Sequence, residues 1–263
     1  MCAADALPAP APHEPPYEPL AGVYDLLTAG YGHERWLGEL ERLARAHGLR
    51  GRRLLDVACG TGSSFLALLD AGYRVTACDL SPAMARRAAE KAGGRATVHV
   101  ADARRLPRLG AFDLVTCLND AINHLVEPDD VLRALAGMRA NLGRGGLLVF
   151  DVNTFRAYRS AGDVVSADDD RLVAWRGRLA TISEPGALAE VVVEVFERLP
   201  GDVWRRRCHR QPHRHYPLTE VRALVARAGL RVVATRGQRT GAILDADVDE
   251  DLHTKAIFLA ARA

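Results

Sequence analysis

The sequence has little of several features that would mark a specialised class of protein. Only two of its 35 basic residues are lysines, Lys91 and Lys255, a skew typical of GC-rich genomes that carries no information about chemistry. The formal net charge is +2, and the absence of a strong basic excess argues against a dedicated nucleic-acid-binding protein. No apolar run approaches the ~20 residues that cross a bilayer, so we expect no membrane partner.

Cysteine is also sparse, with five residues among 263 and no CxxC spacing that would indicate a zinc site. We therefore expect no metal cofactor. The odd number of cysteines and the lack of a signal-peptide pattern favour reduced thiols and a cytoplasmic location. The alanine- and proline-rich beginning predicts a disordered tail over residues 1–19.

The middle of the sequence alternates between short apolar runs and helical patterns. This alternation is typical of a parallel sheet covered by helices on both faces. The predicted strands are 53–58, 73–78, 96–100, 112–118 and 146–151, and the predicted helices are 20–47, 63–71, 82–92 and 131–142.

The pattern changes after residue 152. Three consecutive strand-like segments at 171–183, 188–198 and 203–211, separated by Pro-Gly turns, predict an antiparallel insertion. The α/β alternation then returns with a helix at 218–228 and strands at 230–235 and 256–260. We therefore expect one α/β domain formed by residues 20–152 and 217–263, with residues 153–216 inserted into it.

A glycine-rich turn follows the first predicted strand, where Cys59, Gly60 and Gly62 lead into a helix. Such a turn lets the backbone approach a ligand closely, although many α/β domains have one for packing alone. Asp79 follows Gly60 at the spacing of a carboxylate that accepts hydrogen bonds from a ribose. Asp102 follows the third strand, where it could reach an adenine amino group. Together these features predict a ligand that contains a nucleoside.

The residues around the turn favour a ligand without phosphate. A dinucleotide site has a third glycine where this chain has Phe65, so an NAD-dependent oxidoreductase is a distant alternative. Asp56 precedes the turn, and its carboxylate would repel a pyrophosphate. S-adenosylmethionine carries a sulfonium and an ammonium but no phosphate, so an acidic residue here favours it.

Four stretches, DVACGTG, ACDLSPAMARRAAEKA, VADARRL and FDLVTCLNDAINHL, occur in this order. As a set they resemble the class I S-adenosylmethionine-dependent methyltransferases, over residues 17–263. The resemblance implies a seven-stranded, mostly parallel Rossmann-like sheet with a reversed last strand and a three-stranded antiparallel lid after strand five. The helical opening and the lid resemble small-molecule enzymes that N-methylate amino sugars or the amino termini of modified peptides. The N-P-P-Y-type motif of enzymes acting on DNA adenine or glutamine is absent after strand four.

The resemblance also implies which residues contact S-adenosylmethionine. The glycine-rich turn would meet the methionine part, the second strand the ribose and adenine face, and the third strand the adenine edge. Three tyrosines near the N-terminus could fold over the cofactor, with helix packing as the alternative for Tyr24. The implied residues are Asp56, Ala58, Cys59, Gly60 and Gly62; Asp79, Leu80 and Met84; Asp102 and Ala103; Leu118 and Asn119; and Tyr17, Tyr24 and Tyr31.

Methyl transfer to an amine requires an unprotonated nitrogen, so a general base or a desolvating pocket is useful. A histidine titrates in the suitable range, although capping or hinge roles are the alternatives. The candidates are Asp120 and His124 after strand four, and His209, His213 and Tyr216 at the end of the lid. The arginines Arg205, Arg206, Arg207, Arg210 and Arg214 either receive an anionic substrate or form a solvated strand face.

The leading hypothesis is a methyltransferase that moves a methyl group to an amine of a small molecule or modified peptide, in secondary metabolism. An O-methyltransferase acting on a hydroxyl or carboxylate and a non-catalytic S-adenosylmethionine-binding protein are the alternatives. The expected partner is the substrate alone, with a monomer or a homodimer as the assembly.

Overall fold

The computed structural model describes residues 15–160, 162–177, 182 and 184–263. The helices are α1 (Tyr24–Thr28), α2 (His33–Ala46), α3 (Leu66–Asp70), α4 (Pro82–Ala92), α5 (Pro128–Asn141), α6 (Phe155–Ser160) and α7 (Leu218–Arg227). The strands are β1 (Arg53–Val57), β2 (Arg74–Asp79), β3 (Ala96–Val100), β4 (Phe112–Cys117), β5 (Leu142–Asn153), β6 (Asp163–Ala167), β7 (Arg171–Arg176), β8 (Leu188–Leu199), β9 (Val203–Arg214), β10 (Leu230–Arg239), β11 (Ile243–Asp245) and β12 (Lys255–Arg262).

The main sheet has the strand order β11-β10-β12-β5-β4-β1-β2-β3. Strands β1 to β5 pair in parallel, whereas β12 runs antiparallel to both of its neighbours. The predicted mostly parallel sheet with a reversed last strand is confirmed, and the short edge strand β11 adds an eighth strand to it. The strands that follow β1 are added on one side of it up to β3 and on its other side from β4 onward. This change of direction opens a crevice at the carboxyl ends of β1 and β4, where ligands bind in such sheets.

Helices cover both faces of the sheet, because most side chains of the central strands are apolar on both faces. Leu54, Leu55 and Val57 of β1 are completely buried, and one core cluster lies on each face. Phe150 of β5 and Phe258 of β12 stack with ring centroids 5.1 Å apart. The central strands therefore form a rigid base whose carboxyl ends carry the polar residues. No helix in the described ranges is long and apolar enough to cross a membrane.

A second, antiparallel sheet has the order β6-β7-β8-β9, and we refer to it as the lid. The predicted insertion is present, but it has four strands instead of three, because residues 163–167 pair with β7. The predicted strand 171–183 ends at residue 176, and residues 178–181 and 183 of it lie outside the described residues. An exposed five-residue strand has no strong apolar alternation, so only its pairing partner reveals it.

The N-terminal segment packs between the lid and α4. Residues 1–14 of the predicted disordered tail lie outside the described residues, but residues 15–19 are ordered, and a 3-10 turn covers Glu18–Leu20. Leu20, Val23 and Leu27 are buried against the lid strands, and Glu18 accepts a hydrogen bond from the Ala83 backbone N–H at 3.0 Å. The predicted single helix over 20–47 is divided, since Gly32 has a left-handed φ of 61° before α2.

The stacked phenylalanines give a test of the core. Phe258→Ala should lower the free energy of unfolding by about 3–5 kcal/mol, because the ring is completely buried and leaves a cavity beside Phe150. Urea unfolding measures this change. Val203→Ala, at a side chain 57% exposed, should change it by less than about 0.5 kcal/mol. Equal losses in the two variants would contradict the account of the core.

Candidate active site

The turn after β1 adopts a backbone shape that small residues accept most easily. Gly60 and Gly62 have φ values of 54° and 95°, and Ala58 is also left-handed at 58°. A Cβ atom on Gly62 would lie 3.1 Å from the Phe65 ring, so close packing against this ring favours a glycine here. The Gly60 N–H donates a hydrogen bond to Asp79 Oδ2 at 2.8 Å. The carboxylate that ends β2 therefore fixes the turn.

Asp56 is completely buried below this turn. Its carboxylate accepts hydrogen bonds from the hydroxyl groups of Ser64 and Thr116, and Ser64 also donates to the Cys59 carbonyl at 3.2 Å. Burial raises the pKa of Asp56 to about 6 despite these hydrogen bonds. Asp56 is not among the cavity-lining residues, and its carboxylate is occupied by the hydroxyl groups that support the turn, so its contact with the cofactor stays a prediction.

A cavity of about 390 Å³ lies above the turn, enclosed by the strand ends, the N-terminal segment and the lid. It is continuous from the ends of β2 and β3 to the loop after β4. Thirteen of the predicted site residues line it, and they come from six separate segments of the chain. They are Tyr17, Tyr24, Ala58, Cys59, Gly60, Asp79, Leu80, Met84, Asp102, Ala103, Leu118, Asn119 and His124.

Two carboxylates stand at one end of the cavity. Asp79 Oδ1 accepts a hydrogen bond from the Ser81 backbone N–H at 2.9 Å, and burial raises the pKa of Asp79. Both oxygens of Asp102 accept hydrogen bonds from the Arg104 guanidinium. Burial would raise the pKa of Asp102, but the hydrogen bonds from Arg104 outweigh it and lower the pKa. Each carboxylate oxygen has a further lone pair, so both residues can also accept hydrogen bonds from a ligand.

The neutral imidazole of His124 lines the other end, and that of His213 adjoins it. The Tyr17 hydroxyl and His124 Nε2 are hydrogen-bonded at 3.0 Å, and the rings of His124 and His213 meet nearly edge-on with centroids 3.9 Å apart. Burial lowers the pKa of His124, and the nearby Asp120 charge offsets this only in part. Burial lowers the pKa of His213 to about 3. Both imidazoles are therefore uncharged near neutral pH and can accept hydrogen bonds.

Lys255 joins two carboxylates next to these histidines. Its Nζ donates to Asp151 Oδ2 at 2.6 Å and to Asp120 Oδ1 at 3.2 Å. Burial would raise the pKa of Asp120, but the charge of Lys255 outweighs it and lowers the pKa, so Asp120 is ionised. The Asp120 backbone is left-handed, with a φ of 55°, and its N–H donates to Asp151 Oδ2 at 2.9 Å. Sequence reasoning missed Lys255 and Asp151, although one of only two lysines begins the last strand.

Three predicted site residues lie away from the cavity. The side chain of Tyr31 is 53% exposed, and its ring lies beside that of His33. Tyr216 is completely buried in the core and donates its hydroxyl to the Leu125 carbonyl, away from the cavity lining. His209 is on β9 opposite Val193, outside the cavity lining. Asp120 and His213 are also not lining residues, but both adjoin His124.

The lid arginines pair with neighbouring acidic groups instead of lining the cavity. Arg205 and Arg207 contact Glu197, Arg206 contacts Glu194, Arg210 contacts Glu190, and Arg214 lies 3.8 Å from Glu220. This arrangement favours the solvated strand face over an anionic substrate site.

The roof of the cavity combines two segments that sequence reasoning did not bring together. Pro15 and Pro16 line it from the N-terminal side, and Gln211 and Pro212 line it from the lid. Gln211 Nε2 donates a hydrogen bond to the Pro16 carbonyl at 2.6 Å. The N-terminal segment therefore connects the lid to the cavity. No local sequence signal indicates this contact, because it joins residues that are 195 positions apart.

The buried carboxyl of Asp56 gives a pH test. The folded-state pKa of Asp56, about 6, lies above its ordinary value of 3.8. The stabilisation that goes with the protonated carboxyl is therefore fully present below about pH 4 and is lost as the pH rises through 6. Asp56→Asn removes this loss. The free energy of unfolding of the variant relative to the wild type should therefore rise by up to about 3 kcal/mol between pH 4 and pH 8. A difference that is independent of pH in urea unfolding would contradict it.

The sequence has relatives among known methyltransferases. Residues 54–146 match the family described as a methyltransferase domain. The dTDP-3-amino-3,6-dideoxy-alpha-D-glucopyranose N,N-dimethyltransferase of Streptomyces fradiae is 32% identical over 55% of this chain and 59% of its own length. The cypemycin N-terminal methyltransferase of a Streptomyces species is 27% identical over 83% of this chain and 86% of its own length.

Solved structures show the same fold. An S-adenosylmethionine-dependent methyltransferase from Clostridium acetobutylicum has a TM-score of 0.76 at 21% identity, covering 94% of this chain and 99% of its own. The S-adenosylmethionine-bound amino pentose methyltransferase from Micromonospora echinaspora has a TM-score of 0.71 at 25% identity, covering 92% and 97%. The predicted fold and the predicted cofactor, S-adenosylmethionine, are confirmed. Residues 54–146 thus match a methyltransferase domain, and the chain has the class I fold of S-adenosylmethionine-dependent methyltransferases.

Proposed function

We propose that this protein transfers a methyl group from S-adenosylmethionine to an amine nitrogen of a small molecule or modified peptide in secondary metabolism. One observation carries the proposal: a single cavity has two carboxylates, Asp79 and Asp102, at one end and the neutral imidazole of His124 at the other. The relatives that act on amino sugars and on a peptide amino terminus support an amine as the acceptor.

The cofactor would lie along the cavity with its adenosine at the carboxylate end. Asp79 would accept hydrogen bonds from the ribose hydroxyls and would still accept the hydrogen bond from the Gly60 N–H. The buried side chain of Met84 would contact the adenine face, and Asp102 would accept from the adenine amino group. The sulfonium would then lie above the glycine-rich turn and direct the methyl group toward His124. The insertion of residues 153–216 would act as the lid that excludes water.

The reaction is an in-line displacement in which the nitrogen lone pair forms a bond to the methyl carbon. The carbon–sulfur bond breaks, its electron pair stays on sulfur, and S-adenosylhomocysteine leaves. The nitrogen becomes positively charged and then loses a proton. Holding the two reactants in line can supply ~7–11 kcal/mol of the barrier. Tyr17 fixes the His124 ring, and the neutral ring can accept an N–H hydrogen bond.

The surroundings of the site support an amine over a hydroxyl acceptor. Asp120 is ionised beside His124, so its negative charge would stabilise the positive charge that develops on nitrogen. A hydroxyl acceptor must lose its proton to a base, and burial lowers the pKa of both imidazoles here. The unpaired thiols of Cys59, Cys78 and Cys117 suit a reducing compartment, and we place the reaction in the cytoplasm.

The cofactor end can be tested by calorimetry. Asp79→Ala should raise the Kd for S-adenosylmethionine at least ~10-fold, because it removes a carboxylate that both fixes the turn and would bind the ribose. Asp70→Ala is the matched control, since this carboxylate is exposed and pairs only with Arg95 among the described residues. If both variants retained the wild-type affinity, the assignment of the adenosine end would be wrong.

The acceptor end can be tested by turnover. The wild type should methylate at least one amine in a panel of amino sugar nucleotides, amino acids and peptides, and His124→Phe should lower kcat/KM by ~10–100-fold on that amine. The affinity for S-adenosylhomocysteine should be unchanged. His47→Phe is the control, because His47 caps α2 through the Leu43 carbonyl away from the cavity. Turnover of hydroxyl compounds alone would overturn the amine proposal.

A further inference from the structure

Three hydrogen-bond acceptors converge beside the end of the cavity that His124 lines, and we refer to them as the acceptor cluster. They are the carboxylate of Asp120 and the imidazoles of His124 and His213, and one polar atom from each lies within 4.8 Å of the others. Asp120 and His124 follow β4, whereas His213 comes from β9 of the lid. The cluster is therefore complete only when the lid is in place over the sheet.

His213 is the member that the fold itself does not explain. Its side chain is 1% exposed, and neither ring nitrogen has a hydrogen-bond partner among the described residues. Its Nδ1 is 4.0 Å from Asp120 Oδ2, which is too far for a hydrogen bond. A buried polar group without a partner is unfavourable, so such a group indicates a partner from outside the chain. The neighbouring residues Gln211 and Pro212 line the cavity, which puts His213 next to the space for a ligand.

Building on the proposed amine methylation, we infer that the acceptor cluster binds the N–H bonds of the substrate and that His213 makes the enzyme select primary amines. A primary amine donates two N–H bonds while its lone pair points at the methyl group. One N–H would go to His213 and the other to His124 or Asp120. An alcohol has one O–H and cannot satisfy both acceptors, and a secondary amine has one N–H.

The same cluster stabilises the product of the transfer. As the nitrogen–carbon bond forms and the carbon–sulfur bond breaks, the nitrogen gains a positive charge and keeps both N–H bonds. The neutral imidazoles accept these bonds, and the Asp120 carboxylate faces the charge. Asp120 Oδ1 is held by Lys255 and Oδ2 by Asn153 Nδ2 at 3.2 Å, so its orientation is fixed before the substrate arrives. One proton then leaves to an imidazole or to water, which gives the neutral methylamine.

A divalent metal ion is the other occupant that two histidines and a carboxylate could bind. Two ligands of a zinc ion at about 2.1 Å would lie roughly 3.4 Å apart in tetrahedral geometry. Two acceptors around one nitrogen at about 2.9 Å would lie roughly 4.7 Å apart. The observed 4.0 Å between His213 and Asp120 lies between these values. The charges favour the substrate amine over a metal ion, because the Lys255 ammonium is already 3.2 Å from the same carboxylate and would repel a divalent cation.

The test compares a primary amine with its own N-methyl derivative, each at saturating S-adenosylmethionine, in the wild type and in His213→Phe. The phenyl ring is flat like the imidazole, although somewhat larger, and removes both nitrogens. kcat/KM for the primary amine should fall at least ~10-fold, and kcat/KM for the N-methylamine by less than ~3-fold, because one N–H can still use His124. His213→Asn and His213→Gln should recover part of the loss, since each restores an acceptor.

The affinity of each variant for S-adenosylhomocysteine serves as the folding control and should equal that of the wild type. If His213→Phe does not fold, the test uses the wild type alone and measures its affinity for the primary, N-methyl and N,N-dimethyl forms of one amine. These affinities should decrease in that order. The inference would be overturned if His213→Phe lowered kcat/KM equally for both amines or for neither. It would also be overturned if a chelator abolished the activity and zinc restored it. Failure of the proposed function is recognisable separately, because the wild type itself would then methylate no amine.

Discussion

A buried ammonium group between two carboxylates stabilises the end of the cavity that His124 lines. Lys255 begins β12, Asp151 lies near the end of β5, and Asp120 follows β4, so one side chain connects the ends of three neighbouring strands. Removing such charges from water is costly, and the loss of one partner from a buried pair typically destabilises a protein by about 3–5 kcal/mol. The arrangement is therefore intolerant of change. It also keeps the left-handed turn at Asp120 in place, since the Asp120 N–H donates to the carboxylate that Lys255 neutralises.

The fixed charges explain why the two ends of the cavity have different chemistry. At the end formed by Asp79 and Asp102, Asp79 accepts hydrogen bonds from the backbone N–H groups of Gly60 in the turn and of Ser81, the N-cap of α4. At the other end, Lys255 keeps Asp120 ionised, and burial keeps His124 and His213 neutral. A cationic methyl donor and a nitrogen that becomes cationic both fit beside this negative charge. The lid and the N-terminal segment enclose the space, because their apolar residues share one cluster with Met84.

The sequence was sufficient to predict the part of the site that depends on local chain order. Asp79 ends β2, and the turn at Gly60 and Asp102 come just after β1 and β3, so the parallel order of the strands brings them together. Sequence spacing does not tell whether a side chain at the end of a strand lies in the core or at the ligand, and the structure places the Asp56 carboxylate in the core, outside the cavity lining. The fourth lid strand, the Lys255 bridge and the roof contact between Gln211 and Pro16 all join distant segments. Tertiary pairing alone creates them, and neither periodicity nor composition carries a signal for it.

The central claim is that one cavity orients S-adenosylmethionine from the carboxylates toward the imidazoles. A crystal structure of the protein with S-adenosylhomocysteine tests this most directly, because the product shows the position of the sulfur without turnover. The account predicts adenosine against Asp79 and Asp102, with the sulfur on the side of the cavity that faces His124. A nucleoside bound at the His124 end, or a sulfur turned toward the solvent away from the imidazoles, would contradict it.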